Sequence, residues 1–150
     1  MKKKPPKSYY IKLFFGALEE TFQTKRLIPY WLPVWAWMFF IFYLSSLSEF
    51  STGFVGTFDV FLKKSWHVFA FFTLTALVYR AFRSYRFSKS DSCILGVFFS
   101  FVYAISDEIH QLFVSGRHGR VTDVLIDLIG IALFIVLARI LTGKNNTSHS

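Results

Sequence analysis

The chain has 150 residues, 53% of them apolar and 21% aromatic, with 20 Phe. A water-soluble domain of this size has too little interior to hide that much Phe, which points to the membrane class. The net charge of +8 comes without a basic groove of interleaved aromatics outside the apolar runs, which argues against nucleic-acid binding, and the single cysteine, Cys93, excludes an internal disulfide.

The expected class is all-α: an integral membrane four-helix bundle with an N-terminal amphipathic helix. The expected divisions are a basic, amphipathic N-terminal segment (1–30), a four-span membrane domain (31–141) and a polar tail (142–150). Met1 to Lys7 is basic with two prolines and reads as disordered. Lysines open the chain, but no apolar core with a small-residue cleavage site follows them, so no cleaved signal peptide is expected. From Tyr9 to Gln23, Ile11, Phe14, Phe15, Leu18 and Phe22 recur at helical spacing, with Lys12, Glu19, Glu20 and Gln23 largely opposite. That pattern fits a helix lying on the membrane and equally one packed on the protein.

Trp31 to Leu47 is the first expected span. It is uncharged, opens on the interfacial residues Trp31, Trp35 and Trp37, and ends in the hydroxyls Ser45, Ser46 and Ser48. The connector after it is too apolar for a free loop, and a short interfacial helix is expected over Gly56–Lys64. Trp66 to Phe82 is the second span, with His67 in its first turn and Arg80 and Arg83 placed to snorkel at its far end. Ser92 to Ile109 is the third span, His110 to Thr122 a loop turned by Gly116 and Gly119, and Asp123 to Leu141 the fourth span.

Orientation follows from cations. The N-terminal flank, the Arg80–Lys89 turn and the C-terminal end hold 7, 4 and 2 Lys/Arg, against 4 (Lys63, Lys64, Arg117, Arg120) on the other side. The positive-inside rule then places both termini in the cytoplasm of a multi-pass membrane protein. Glu49, Asp59, Asp107, Glu108, Asp123 and Asp127 fall on the outer side.

Every span brings polar groups to that outer end. On the third, Gly96, Ser100, Tyr103, Asp107 and Gln111 form one small-to-polar face; on the fourth, Asp123, Asp127, Gly130 and Phe134 share a face. Asp127 lies about 6 Å inside the helix start, at 1.5 Å per residue. Ionisable groups at such depth need partners, and Arg117 and His67 are the candidates for Asp127. Asp123 reads as a complement to the helix dipole. Glu108 reads as facing headgroup water, and Lys63 and Lys64 as solvated.

The chemistry these types permit is acid–base work, with His67 or His110 as the base and Asp107 and Asp127 orienting it. No strong nucleophile is present. Two acids and two histidines match the donors of a divalent metal, but no HExxH or equivalent spacing occurs, so neither a metal nor any other cofactor is expected. The binding set is Lys64, His67, Asp107, Glu108, Gln111, Arg117, Asp123 and Asp127.

These residues resemble the VanZ-like family of small bacterial membrane proteins, from about Trp35 to Leu141. The resemblance is carried by Lys64-x-x-His67, Asp107-Glu108-x-His110-Gln111, Gly116-Arg117 and Asp123-x-x-x-Asp127-x-x-Gly130. The chain departs from the family pattern at Asp127, where Asn is common, and at Lys63, where Asp is expected before the lysine. The resemblance implies a multi-span protein of the bacterial inner membrane, and the founding member is linked to resistance to the glycopeptide teicoplanin. The expected function is a polar, outward-facing pocket that binds a lipid-linked or envelope molecule and affects glycopeptide susceptibility, with membrane lipids as further partners. The alternative is a membrane-embedded acid–base enzyme acting on a lipid-linked substrate. A proton or ion path ranks last, because no polar trail continues beyond Ser100 and Tyr103.

Overall fold

Residues 27–47, 57–85, 87–115 and 119–144 are described by a computed structural model. The amphipathic helix expected over Tyr9–Gln23 and the residues Ser48, Arg117 and His118 lie outside them.

All the regular elements among the described residues are helical. A π-helical turn, Leu27–Trp31, leads into α1, Leu32–Ser46. Pro33 stands in the first turn of α1, where its missing N–H costs nothing and its fixed φ suits the helix. α1 is apolar all round. One stripe, Val34, Ile41 and Ser45, is buried, while Leu32, Trp35, Phe39, Phe42 and Tyr43 are exposed. Exposed aromatics in that number suit contact with lipid rather than water.

α2 runs unbroken from Thr57 to Arg83. The expected division into a short interfacial helix and a separate span is corrected here. No Gly or Pro lies between Lys64 and Trp66 to interrupt the backbone, and an i,i+4 pair of Asp59 and Lys63 (2.7 Å) supports the first turns. Its 27 residues extend about 40 Å at 1.5 Å each. α2 is the central element. It packs on α4, α3 and α1 and buries Ala70, Phe71, Leu74, Thr75, Val78 and Ala81. At its far end Arg80 donates to the Pro29 carbonyl and Arg83 to the Phe87 carbonyl, so both arginines tie down chain as well as reaching the surface.

α3, Lys89–Gln111, starts on a reciprocal cap. Ser88 Oγ accepts the Asp91 N–H (3.0 Å), and the Ser88 hydroxyl lies 2.6 Å from Asp91 Oδ2. Its buried face is Ser92, Gly96, Ser100, Ala104, Asp107, Glu108 and Gln111. Small residues let α2 approach: a Cβ at Gly96 would stand 3.4 Å from the Thr75 carbonyl. α4, Val121–Lys144, buries Asp127, Gly130, Ile131 and Phe134 against α2.

Among the described residues, three stretches are long and apolar enough to cross a membrane: Ile28–Ser46, Lys89–Gln111 and Val121–Ile140. α2 is not among them, because Asp59, Lys63, Lys64, Arg80 and Arg83 lower its hydropathy from both ends. Its middle is the core of the bundle. α1 and α4 lie on different sides of it, and α3 touches all of its fellows.

Candidate functional site

The ends of α1 and α3 and the starts of α2 and α4 meet at one end of the bundle. Their polar side chains form three linked groups.

The first is centred on Asp107. Its Oδ1 accepts the Ser45 hydroxyl (2.5 Å), and its Oδ2 accepts the Gln111 amide one turn on (2.9 Å). All three residues are buried. Both carboxylate oxygens are satisfied by neutral donors, which holds a buried acid in place without a counter-cation. Ser45, noted in the sequence only as a helix-end hydroxyl, is thereby a fixed part of the site.

The second group is peripheral. Ser46 Oγ lies 2.7 Å from the Phe42 carbonyl and 3.0 Å from His110 Nε2. A hydroxyl has one proton. With that proton given to Phe42, the hydroxyl accepts from His110, which places an N–H on Nε2. The imidazole also lies against the Phe42 ring at 4.3 Å. His110 is thus held in the α1–α3 seam rather than beside Asp127.

The third group joins α2, α3 and α4. His67 Nδ1 stands 2.9 Å from Asp127 Oδ1. Of the two partners considered for Asp127, this is His67. Glu108, expected to face headgroup water, is instead 7% exposed. Its Oε2 accepts the Arg120 backbone N–H at 2.7 Å. Gly119 makes that reach possible: a Cβ there would stand 2.5 Å from the Glu108 carbonyl oxygen. Glu108 Oε1 and Asp127 Oδ2 are buried without a hydrogen-bond partner. One ligand atom from each of His67, Glu108 and Asp127 lies within 4.8 Å of the others.

A cavity of about 160 Å³ opens beside these groups, lined by Ile41, Leu44, Ser45, Lys63, Trp66, His67, Asp107 and Asp123. A second, of about 280 Å³, shares Lys63, His67 and Asp123 and adds Asp59, Val60, Lys64 and Arg120. Asp123 therefore borders both cavities from the first turn of α4, in addition to any role at the helix terminus. Lys63, read as solvated, also lines both, while paired with Asp59. The apolar wall of Ile41, Leu44 and Trp66 was not legible as part of a site, since such residues are indistinguishable in sequence from lipid-facing bulk. Arg117 lies outside the described residues.

A family model described as VanZ/LLP1 matches residues 30–142. A curated relative, the uncharacterized membrane protein YwnJ of Bacillus subtilis (strain 168), is 40% identical over 76 residues. That match covers 51% of this chain and 48% of the relative, so the chain aligns with about half of its length. No solved structure matches.

Proposed function

The chain belongs to the VanZ/LLP1 family of membrane proteins, and from that premise we propose that it binds a lipid-linked or envelope molecule in the pocket at the polar end of the bundle and thereby affects susceptibility to glycopeptides such as teicoplanin. The observation that carries this reading is the two-sided character of the adjoining cavities. One wall is Ile41, Leu44 and Trp66; the other carries Lys63, Lys64 and Arg120 together with His67 and the acids Asp59, Asp107 and Asp123. An amphiphile with an anionic headgroup matches both walls: its chain lies on the aromatic and aliphatic side, its phosphate near the cations. In this reading all four helices span, both termini are cytoplasmic, and the pocket faces outward. The cation excess at the opposite end supports that orientation.

The test is genetic and chemical. Deletion of the gene should change teicoplanin or lipoglycopeptide susceptibility, and mass spectrometry of lipid extracts from the purified protein should return a bound anionic amphiphile. Unchanged susceptibility to both drugs, together with no lipid enriched over a Lys63→Ala/Lys64→Ala variant, would count against it.

A second reading is favoured by one contact. Asp127 holds the His67 imidazole at the cavity wall, the arrangement of an oriented general base. An enzyme acting on the lipid-linked molecule would lose its phenotype in His67→Ala or Asp107→Asn while still inserting normally.

A further inference from the structure

We propose that His67, Glu108 and Asp127 form a binding site for one divalent transition-metal cation. The proposal stands on the geometry of these three side chains and does not depend on the lipid-binding reading.

The donors come from three helices, and one ligand atom of each lies within 4.8 Å of the other two. Proximity is not the whole case. Glu108 Oε1 and Asp127 Oδ2 are both buried and both lack a hydrogen-bond partner, in side chains that are 7% and 0% exposed. A buried carboxylate oxygen with no donor is costly, and two near one another repel as well. The neighbouring acid Asp107 is not in this condition, since Ser45 and Gln111 occupy both its oxygens. Among the described residues, buried carboxylate oxygens without a donor occur only on Glu108 and Asp127, the two acids grouped with the His67 imidazole.

A divalent cation supplies the missing partner. Two carboxylates and a neutral imidazole give it a site of zero net charge, the form least penalised in apolar surroundings. An imidazole with two carboxylates suits zinc, manganese or iron(II); magnesium and calcium prefer oxygen donors throughout. Donors about 2.1 Å from such an ion sit about 3.0–3.4 Å from their neighbours in octahedral or tetrahedral geometry, so a cluster within 4.8 Å closes on the ion by side-chain movement. Three protein ligands leave coordination positions open, and His67 borders the cavity, which supplies a route in. The residues stand at positions 67, 108 and 127, so no local spacing announces the site, although the donor types themselves suit a divalent metal.

The full-length protein, purified in detergent through a tag without histidines and stripped with EDTA, tests this. Titrated with Zn²⁺, it should take up one equivalent. Co²⁺ should give a visible d–d absorption band that Zn²⁺ removes. Glu108→Gln and Asp127→Asn should each weaken Zn²⁺ binding at least tenfold and abolish the cobalt band, whereas Ser106→Ala, on the exposed face of α3, should keep both. Zn²⁺ should also raise the thermal midpoint of the stripped wild-type protein, a readout that does not depend on any variant folding. Absence of saturable uptake by the wild type, an unmoved midpoint, or a cobalt band that persists in the Glu108→Gln/Asp127→Asn double variant would overturn the proposal. Lys63→Ala/Lys64→Ala protein that loses its lipid yet keeps its zinc would separate this result from the fate of the lipid reading.

Discussion

His67 meets Asp127 across the α2–α4 seam immediately beside a tight backbone approach of those two helices, where Gly130 lies against the Val68 carbonyl. The two contacts are neighbours on both elements: 67 and 68 on α2, 127 and 130 on α4. A carboxylate side chain is short. It reaches the imidazole where the helices are drawn together one turn deeper by a residue without a side chain. The chemistry at the end of the bundle and the packing in its body are therefore one feature.

Gly130→Ala tests that dependence. A Cβ at 130 would run into the Val68 carbonyl oxygen and stand 3.0 Å from the Phe72 nitrogen. Both are backbone atoms and cannot rotate away. The expected cost is about 1–3 kcal/mol, as for other overpacked sites, with loss of the His67–Asp127 contact. Gly96→Ala is the comparison, since its Cβ would meet the Thr75 carbonyl at 3.4 Å, close to ordinary contact. Thermal unfolding in detergent should rank Gly130→Ala well below Gly96→Ala; equal midpoints would remove the packing argument.

Asp127 itself gives a second prediction, to be read on metal-stripped protein. Asp127→Asn keeps an acceptor for His67 and should unfold near the wild-type midpoint. Asp127→Ala leaves the imidazole N–H without its partner beside a void, at a cost of about 1–3 kcal/mol. The measurement is the difference between the two variants. If Asn and Ala are equally damaging, the hydrogen bond is not what Asp127 supplies to stability.

Much of this end of the molecule was legible in the residues. The face from Gly96 through Ser100 to Asp107 and Gln111 is buried as its spacing implies, and His67 was one of two partners considered for Asp127. Glu108 was misread for a physical reason. A helix with one neighbour buries one stripe, and Glu108 lies off the stripe that contains Asp107. α3 has neighbours on several sides, α1, α2 and α4, so adjacent positions 107 and 108 are buried toward different partners. The unbroken α2 was missed because charge at Lys63 and Lys64 looked like a boundary, whereas only a break in backbone hydrogen bonding makes one. Arg120 contributes through its main-chain N–H, which carries no signature in residue identity.

The Ser45–Asp107 hydrogen bond joins α1 to α3 at 62 positions' separation. Interhelical hydrogen bonds within membrane proteins are usually modest, about 0.6 kcal/mol and at most about 1.7. A short bond to a buried carboxylate belongs toward the upper value. A double-mutant cycle of Ser45→Ala and Asp107→Ala should therefore return a coupling of about 1–1.7 kcal/mol. Additive losses would mean that the two side chains are neighbours without mutual stabilisation.

The proposed outward direction of the pocket yields the last prediction. Arg120 borders the larger cavity at the polar end, while Cys93 is half-buried near the start of α3, at the opposite end of the bundle. In intact cells, a membrane-impermeant maleimide should leave the wild-type chain unlabelled. It should label Arg120→Cys in a Cys93→Ser background, and Zn²⁺ or an amphiphile in the cavity should slow that reaction. The reason is the distribution of cations: 13 of the 17 Lys and Arg lie at the Cys93 end or in the N-terminal flank, and such segments are retained in the cytoplasm. Labelling of position 120 only after the cells are opened would invert the topology. The cavity would then be supplied from the cytoplasmic leaflet, and a direct encounter with a glycopeptide target outside the cell would be impossible.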